Sequence, residues 1–373
     1  MKTGRATVLE TFNAPLVTRE YPLPSPEHGA ALVRTEMAGI CGTDVHLWKG
    51  ELPINLPVIL GHETVGRITE LGAGLETDWS GQPLRIGDRV AWTSATSCGK
   101  CYYCAEKGQP TRCPHRRAYG IGYRCDEPPH FLGGYAEFHY LRPGVNIFRL
   151  PDDLATESVV GAGCALITAI HGVERTGIQW RDTVVIQGAG PVGISALAIA
   201  KSAGAGKTIV LGAPASRLAM ARRFGADHTI DIEELSDTQA RIDAIRQLTG
   251  GYGADAVLEC VGLPSAVVEG VEMCRDGGRY LVLGHYCNAG PVSFNPHVIT
   301  RKQLQVLGSW SSEPRHLKAA LEFLRVTRDQ FPFHEMVSHR FPLDKANQAL
   351  ATTASWQCTK SVILPADTQG RTL

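Results

Sequence analysis

The feature that most constrains this chain is a glycine turn set between an apolar strand and a helix. Residues 182–187 (Asp-Thr-Val-Val-Ile-Gln) form an almost continuous apolar run, the kind that is buried in a parallel sheet. Gly188-Ala189-Gly190-Pro191-Val192-Gly193 follows at once, residues 194–201 are good helix formers, and residues 208–211 make a second strand. A lone GxGxxG is weak evidence. Between a buried strand and a helix it becomes a dinucleotide-binding fingerprint, with a pyrophosphate expected at the helix N-terminus.

The alternation continues downstream. Helices are expected at 217–224, 239–248 and 265–274, and strands at 229–231, 254–259, 278–284 and 302–308. This is the pattern of an α/β, doubly wound parallel sheet. The first part of the chain has a different texture. Short β-prone runs at 6–9, 31–34, 58–60 and 65–68 are separated by glycine turns and by Tyr21-Pro22-Leu23-Pro24-Ser25-Pro26, which reads as a β-rich domain. Residues 154–175 form a largely buried helix between the two textures, and helices recur at 316–327 and up to Leu350. At 373 residues the chain is long for one core, so two domains are expected.

Four of the eleven cysteines fall within sixteen residues: Cys98, Cys101, Cys104 and Cys113. Three thiols at two-residue gaps let a tight loop wrap one ion, and Cys113 closes a tetrahedron. Such a four-thiolate zinc site has no open position and is structural. Cys125 is near enough in sequence to substitute for one of them. A second group is Cys41-Gly42-Thr43-Asp44-Val45-His46 with Gly61-His62-Glu63. Taken singly, Cys41 reads equally as a small buried hydrophobe and His62 as a satisfied core histidine. Together they offer two zinc ligands on one short stretch, and Thr43 and His46 add what a proton route needs.

Lys+Arg and Asp+Glu are equal at 37 each, so charge favours neither nucleic acid nor an anionic membrane as partner. Met1-Lys2-Thr3-Gly4-Arg5 lacks the apolar core of a signal peptide, and no run of about twenty apolar residues is evident. A cytoplasmic address is therefore expected. In a reducing compartment clustered cysteines favour metal over disulfides.

With these pieces in place the chain resembles the zinc-dependent medium-chain dehydrogenases, the alcohol dehydrogenase family, over nearly its whole length. The resemblance is carried by Cys41-Gly-Thr43-Asp44, by Gly61-His62-Glu63-x-x-Gly66-x5-Gly72, by the four clustered cysteines and by the glycine fingerprint. It implies a β-rich, GroES-like catalytic domain over 1–163 with a zinc lobe at about 94–116. A Rossmann cofactor domain would follow over 164–306, and 307–373 would return to the catalytic domain. Cys164, in Gly-Ala-Gly-Cys-Ala, matches the family's third ligand beside Cys41 and His62, a Cys₂His set the family is known for.

The resemblance further implies one catalytic and one structural zinc per chain, with a small alcohol or carbonyl compound as the partner of a nicotinamide cofactor. Zinc would activate the alcohol oxygen, Thr43 would take its proton, and His46 would pass it towards solvent through the cofactor ribose. Glu63 matches the acidic residue beside the metal, and Asp44 would orient His62. The cofactor would meet Gly188, Gly190, Pro191, Val192, Gly193, Gly212, Arg217 and Thr168. A homodimer or homotetramer is implied.

There are departures from the family pattern. Eight residues separate Cys104 from Cys113 where seven is commoner, so the lobe loop is expected to bulge. Gly42 replaces a basic residue found in some members. Gly212 stands where NAD-specific members carry a carboxylate for the adenosine ribose, while Arg217 matches a basic position of NAD users. NAD is slightly favoured over NADP, with discrimination weak; an Asp at 212 would be expected to sharpen it. Trp48, Trp92, Ser94 and Tyr119 are substrate-pocket candidates, and Ser94 in place of a bulky aromatic suggests room for secondary or cyclic alcohols. Two other readings compete. Cys41, His62 and Cys164 argue against a zinc-free enoyl or quinone reductase on the same fold, and Thr43 with His46 against a non-catalytic binding protein.

Overall fold

The computed structural model describes residues 2–356 and 358–365. The chain divides into two compact units, one made of Met1–Cys164, Glu313–Val326 and Phe333–Leu373, the other of Ala165–Ser312 with Thr327–Pro332. This corrects the limits expected from sequence. Cys164 belongs to the first unit, and residues 307–312 and 327–332 stay with the second.

The first unit begins with strands β1 (Thr3–Leu9), β2 (Val17–Pro22) and β3 (Ala31–Gly39), then helix α1 (Gly42–Lys49), which the sequence pattern did not signal. Strands β4 (Val58–Ile59), β5 (Glu63–Leu71) and β6 (Arg89–Trp92) follow. The cysteine lobe comes next, bracketed by the short antiparallel pair β7 (Ala95–Thr96) and β8 (Arg117–Ala118). Strands β9 (Phe138–Leu141) and β10 (Ile147–Arg149) complete this stretch. In the lobe Tyr102–Glu106 is a single π turn, closed by Lys107 N–H donating to Tyr102 O at 3.1 Å.

Helix α2 (Thr156–Thr176) is broken at Gly163, whose φ of 48° and ψ of −147° are not helical. By length and composition alone α2 could cross a membrane, but 61% of that window is buried within the fold, in line with the largely buried helix expected from sequence.

The second unit is a parallel sheet covered by helices. Its elements are β11 (Thr183–Gln187), α3 (Pro191–Ser202), β12 (Lys207–Gly212), α4 (Ala215–Arg223), β13 (His228–Asp231), α5 (Thr238–Leu248), β14 (Ala254–Glu259), α6 (Pro264–Met273), β15 (Cys274–Val282), α7 (His297–Arg301) and β16 (Gln305–Gly308). The strand order β13-β12-β11-β14-β15-β16 reverses direction between β11 and β14, the switch point at which such sheets bind ligands. Val184, Val185, Ile186, Ile209, Val210, Val257 and Leu258 are fully buried, which is why these strands read as unbroken apolar runs.

The chain then returns to the first unit through α8 (Pro314–Val326), β17 (Val337–Pro342), α9 (Ala346–Ala354) and β18 (Lys360–Leu364). Strand β18 pairs with β3, giving the sheet order β10-β6-β5-β3-β18-β17, with β9 also on β3. The C-terminal strand thus lies beside the strand that runs into Cys41.

Candidate metal centre and cofactor crevice

Cys41 is the N-cap of α1, and its N–H donates to Asp44 Oδ2 at 2.8 Å, the return arm of a capping box. The other Asp44 oxygen accepts from Gly61 N at 3.2 Å and lies 3.5 Å from His62 Nδ1. One fully buried carboxylate therefore ties the start of α1 to the start of β5, and holds Cys41 and His62 together although twenty positions separate them. Among the described residues no hydrogen bond reaches His62 Nδ1 in good geometry, so Asp44 orients the ring by charge and proximity.

The third group arrives through the break in α2. A Cβ on Gly163 would sit 2.3 Å from Glu63 Oε1, and its positive φ is one that side-chain-bearing residues rarely adopt. Glycine there lets Cys164 N–H donate to Glu63 Oε1 at 2.7 Å and brings Cys164 Sγ to 3.4 Å from Cys41 Sγ. Cys41, His62, Glu63 and Cys164 each present a ligand atom, all within 4.8 Å of one another.

Glu63 has a partner with no local sequence signal. Lys360, the first residue of β18, pairs with Glu63 Oε2, and both side chains are almost wholly buried. Burial opposes the Glu63 charge, but the Lys360 ammonium outweighs it and holds the carboxyl below its usual range. Burial likewise works against the lysine, and Glu63 raises it above its ordinary value. The two thiols share a proton. Their mutual hydrogen bond holds Cys41 well below the usual range and lifts Cys164 well above it. At His62 burial disfavours the imidazolium, and the Asp44 charge reverses the balance.

This donor set fits zinc. Zn–S bonds of about 2.3 Å put two thiolates in a tetrahedron roughly 3.8 Å apart, close to the observed sulfur separation. In the lobe, Cys98, Cys101, Cys104 and Cys113 also cluster within 4.8 Å, with Cys101–Cys104 at 3.5 Å and Cys98–Cys113 at 3.6 Å. Backbone N–H donors of Lys100 and Cys101 help to pull the Cys98 thiol down to about 6, favouring the thiolate a metal needs. Cys125 is not in this cluster; it is fully buried, with Tyr21 Oη at 3.8 Å.

Thr43 and His46 sit three residues apart on α1, one turn from each other on the same face. Of the pocket candidates, Trp92 and Tyr119 are core residues whose rings meet His139 at 4.7 and 4.9 Å. The Tyr119 hydroxyl accepts from Arg142 N, and Trp48 Nε1 donates to Ala14 O. Trp92 and Tyr119 are buried, whereas Trp48 and Ser94 keep an intermediate exposure.

His139 itself is completely buried, and neither ring nitrogen has a hydrogen-bond partner among the described residues. Burial alone pushes its imidazole from 6.5 down to about 3. The unfolded chain therefore binds this proton at a pH where the folded chain does not, and stability is lost as pH falls through that window. By about pH 5 the loss should be about 2 kcal/mol. His139→Phe should flatten the stability profile between pH 6.5 and 5 in denaturant titrations. A slope identical to the parent's would contradict this.

In the second unit α3 starts at Pro191 behind the N-cap Gly190, with no acidic side chain in its first turn, so its N–H groups are free to face an anion. Gly188, Gly190, Val192 and Gly193 form this turn, Gly212 ends β12, Arg217 is buried near the start of α4, and Thr168 is half-buried in α2. The structure adds a steric condition to the expectation for Gly212. A Cβ there would lie 2.7 Å from Ala189 Cβ and 2.8 Å from Ala189 N, and so would collide with the glycine loop itself. Overpacking of this kind costs about 1–3 kcal/mol of stability and displaces the glycine loop, so Gly212→Asp should destabilise the second unit and weaken NADH binding. Fluorescence titration of NADH measures it; binding as tight as in the parent would show that the loop accommodates the side chain.

A thiol–imidazole cluster in one unit and a dinucleotide-binding sheet in the other define a class, the metal-binding nucleotide-linked dehydrogenases. The comparisons narrow it. The model of the zinc-binding dehydrogenase domain matches residues 191–325, and that of the alcohol dehydrogenase GroES-like domain matches residues 27–152. The chain is 34% identical to 5-exo-hydroxycamphor dehydrogenase from Pseudomonas putida, over 97% of this chain and 99% of that one. The crystal structure of an alcohol dehydrogenase from Thermotoga maritima superposes with a TM-score of 0.93 at 35% identity, covering 98% of this chain and all of that one. A zinc-binding dehydrogenase from Sinorhizobium meliloti 1021, crystallised with NADP, gives 0.85 at 28% identity, covering 98% and 100%. The chain belongs to the zinc-type medium-chain dehydrogenase/reductase family and is an oxidoreductase of the alcohol dehydrogenase type.

Proposed function

We propose that the protein is a zinc-dependent dehydrogenase of secondary or cyclic alcohols that uses NAD in preference to NADP, with detectable NADP turnover. The observation that carries the zinc dependence is the convergence of Cys41, His62 and Cys164, half-buried, with the buried Glu63 beside them, in a cluster of the right size. Zinc bound there supplies Lewis-acid activation of the alcohol oxygen. The chain's own residues do the rest: Asp44 orients His62, Lys360 neutralises Glu63, and Thr43 and His46 give the alcohol proton a path to water.

The substrate class is supported by Ser94 in place of a bulky side chain and by likeness to an enzyme of a hydroxycamphor, a bicyclic alcohol. Two features bear on the cofactor. Gly212 offers the adenosine ribose no carboxylate, so nothing at that position repels a 2′-phosphate. Arg217, near the glycine loop, matches a basic position of NAD users. The reading includes a homo-oligomer, dimer or tetramer, working in the cytoplasm on a small alcohol or carbonyl compound.

The test is a panel of primary, secondary, cyclic and polyol substrates, each assayed with NAD and with NADP. Highest kcat/KM on a cyclic or secondary alcohol with NAD supports the reading. Strict NADP dependence, or preference for short primary alcohols, would overturn the corresponding part.

A further inference from the structure

The chemistry of the proton route depends on which nitrogen of His46 is free, and the end of α1 decides it. The last four carbonyls of α1 need partners outside the helix ladder, and all four have them. Glu51 N–H donates to His46 O at 3.0 Å and Gly50 N–H to Leu47 O at 3.0 Å. Asn13 serves the other two, its N–H reaching Trp48 O at 2.8 Å and its Nδ2 reaching Lys49 O at 3.2 Å. The turn needs glycine at 50, where φ is 75° and a Cβ would press against the Phe12 ring at 3.0 Å. This cap folds the chain back over its own helix, so the residue that bonds the His46 carbonyl also lays its side chain beside the His46 ring. Glu51 Oε2 contacts His46 Nδ1, and Lys49 Nζ stands 4.0 Å from the other carboxylate oxygen.

We propose that Glu51 is the positioning residue of the proton route: its carboxylate takes Nδ1–H of His46 and leaves Nε2 bare as the nitrogen that accepts the alcohol proton. This rests on the reading of His46 as a relay given above. A carboxylate only accepts hydrogen bonds, so the ring nitrogen that faces it carries the hydrogen. The same logic fixes the working tautomer of a histidine paired with a carboxylate in hydrolase triads. When the alcohol O–H breaks, its proton passes by way of the Thr43 hydroxyl to Nε2, a new N–H forms, and the imidazolium is left facing Glu51. Water then takes the Nε2 proton, since 43% of the His46 side chain is exposed. The hydride and its electron pair go to the nicotinamide, as the family's reaction requires. The pair is too exposed to matter much for stability, because such contacts are worth about 0–1 kcal/mol. Its effect is on orientation and tautomer.

The experiment is ¹⁵N-histidine NMR of the zinc-loaded enzyme at alkaline pH, with His46→Ala identifying the His46 signals, alongside kcat for alcohol oxidation. The parent should show the Nδ1–H tautomer. Glu51→Ala should shift His46 towards Nε2–H and lower kcat roughly tenfold, the usual scale for losing a partner that orients a site residue. Melting temperature and KM for the cofactor should stay unchanged. Glu51→Gln still offers an acceptor to Nδ1–H and should restore the parent tautomer and most of the rate. An Nε2–H tautomer in the parent, or parent tautomer and rate in Glu51→Ala while His46→Ala is impaired, would overturn the role of Glu51 and leave the relay standing. Full turnover in His46→Ala would instead refute the relay itself, and with it the catalytic role of Glu51.

Discussion

Cys164→Ala is expected to lower kcat by about three orders of magnitude or more, while NADH binding and the fold persist. Loss of Lewis-acid activation is worth several kcal/mol, and each 1.4 kcal/mol is a factor of ten in rate. The fold survives because Cys164 serves the cluster and not the core. Its neighbours Ala162, Ala165 and Leu166 remain buried, and the break at Gly163 owes nothing to the thiol. Cys41→Ala should behave in the same way. Circular dichroism and NADH titration check the fold, and steady-state turnover checks the chemistry. Parent-level activity in Cys164→Ala would remove this residue from the metal site.

Cys101→Ala should act in the opposite sense, on stability first. Between residues 97 and 116 only Thr111 and Cys113 are buried, so the lobe has almost no apolar core to hold it once one thiolate is gone. The lobe should become the first segment cut by protease, and the melting temperature should fall by roughly 5–10 °C. Unchanged melting temperature and unchanged zinc content would refute a structural metal there. Together the two variants separate a metal that does chemistry from one that holds a loop.

The parts of this protein that could be read from its sequence are those in which neighbours in the chain are neighbours in space. The unit from β11 to β12 was readable because strand, turn and helix are consecutive and each has its own period. The lobe was readable because four thiols within sixteen residues leave few alternatives. Helix α1 was obscured because its eight residues carry a glycine, a threonine and an aspartate, all weak helix formers in the interior. Lys360 gave no signal, being 297 residues from Glu63 and part of a strand recognisable only once β18 is seen against β3.

Gly212 was read incompletely for a related reason. Its identity suggested a missing ribose contact, whereas its surroundings show a position where Ala189 leaves no room for a side chain. The packing of Trp92 and Tyr119 on His139 was hidden because the contact joins residues distant in the chain. Glu51 was hidden with α1: Gly50 reads as a cap that swings the next residue back over the last turn only once the short helix before it is known.

The measurement that tests the central claim most directly is the zinc content of the purified protein and of the two cysteine variants, by elemental mass spectrometry beside an assay of alcohol-dependent NADH formation. Two zinc ions per chain are predicted in the parent. Cys164→Ala should retain one and lose turnover, and Cys101→Ala should lose the other and melt earlier. A parent that oxidises alcohols with one zinc or none, or a Cys164→Ala variant that keeps both ions and full activity, would contradict the assignment of Cys41, His62 and Cys164 as the catalytic metal site.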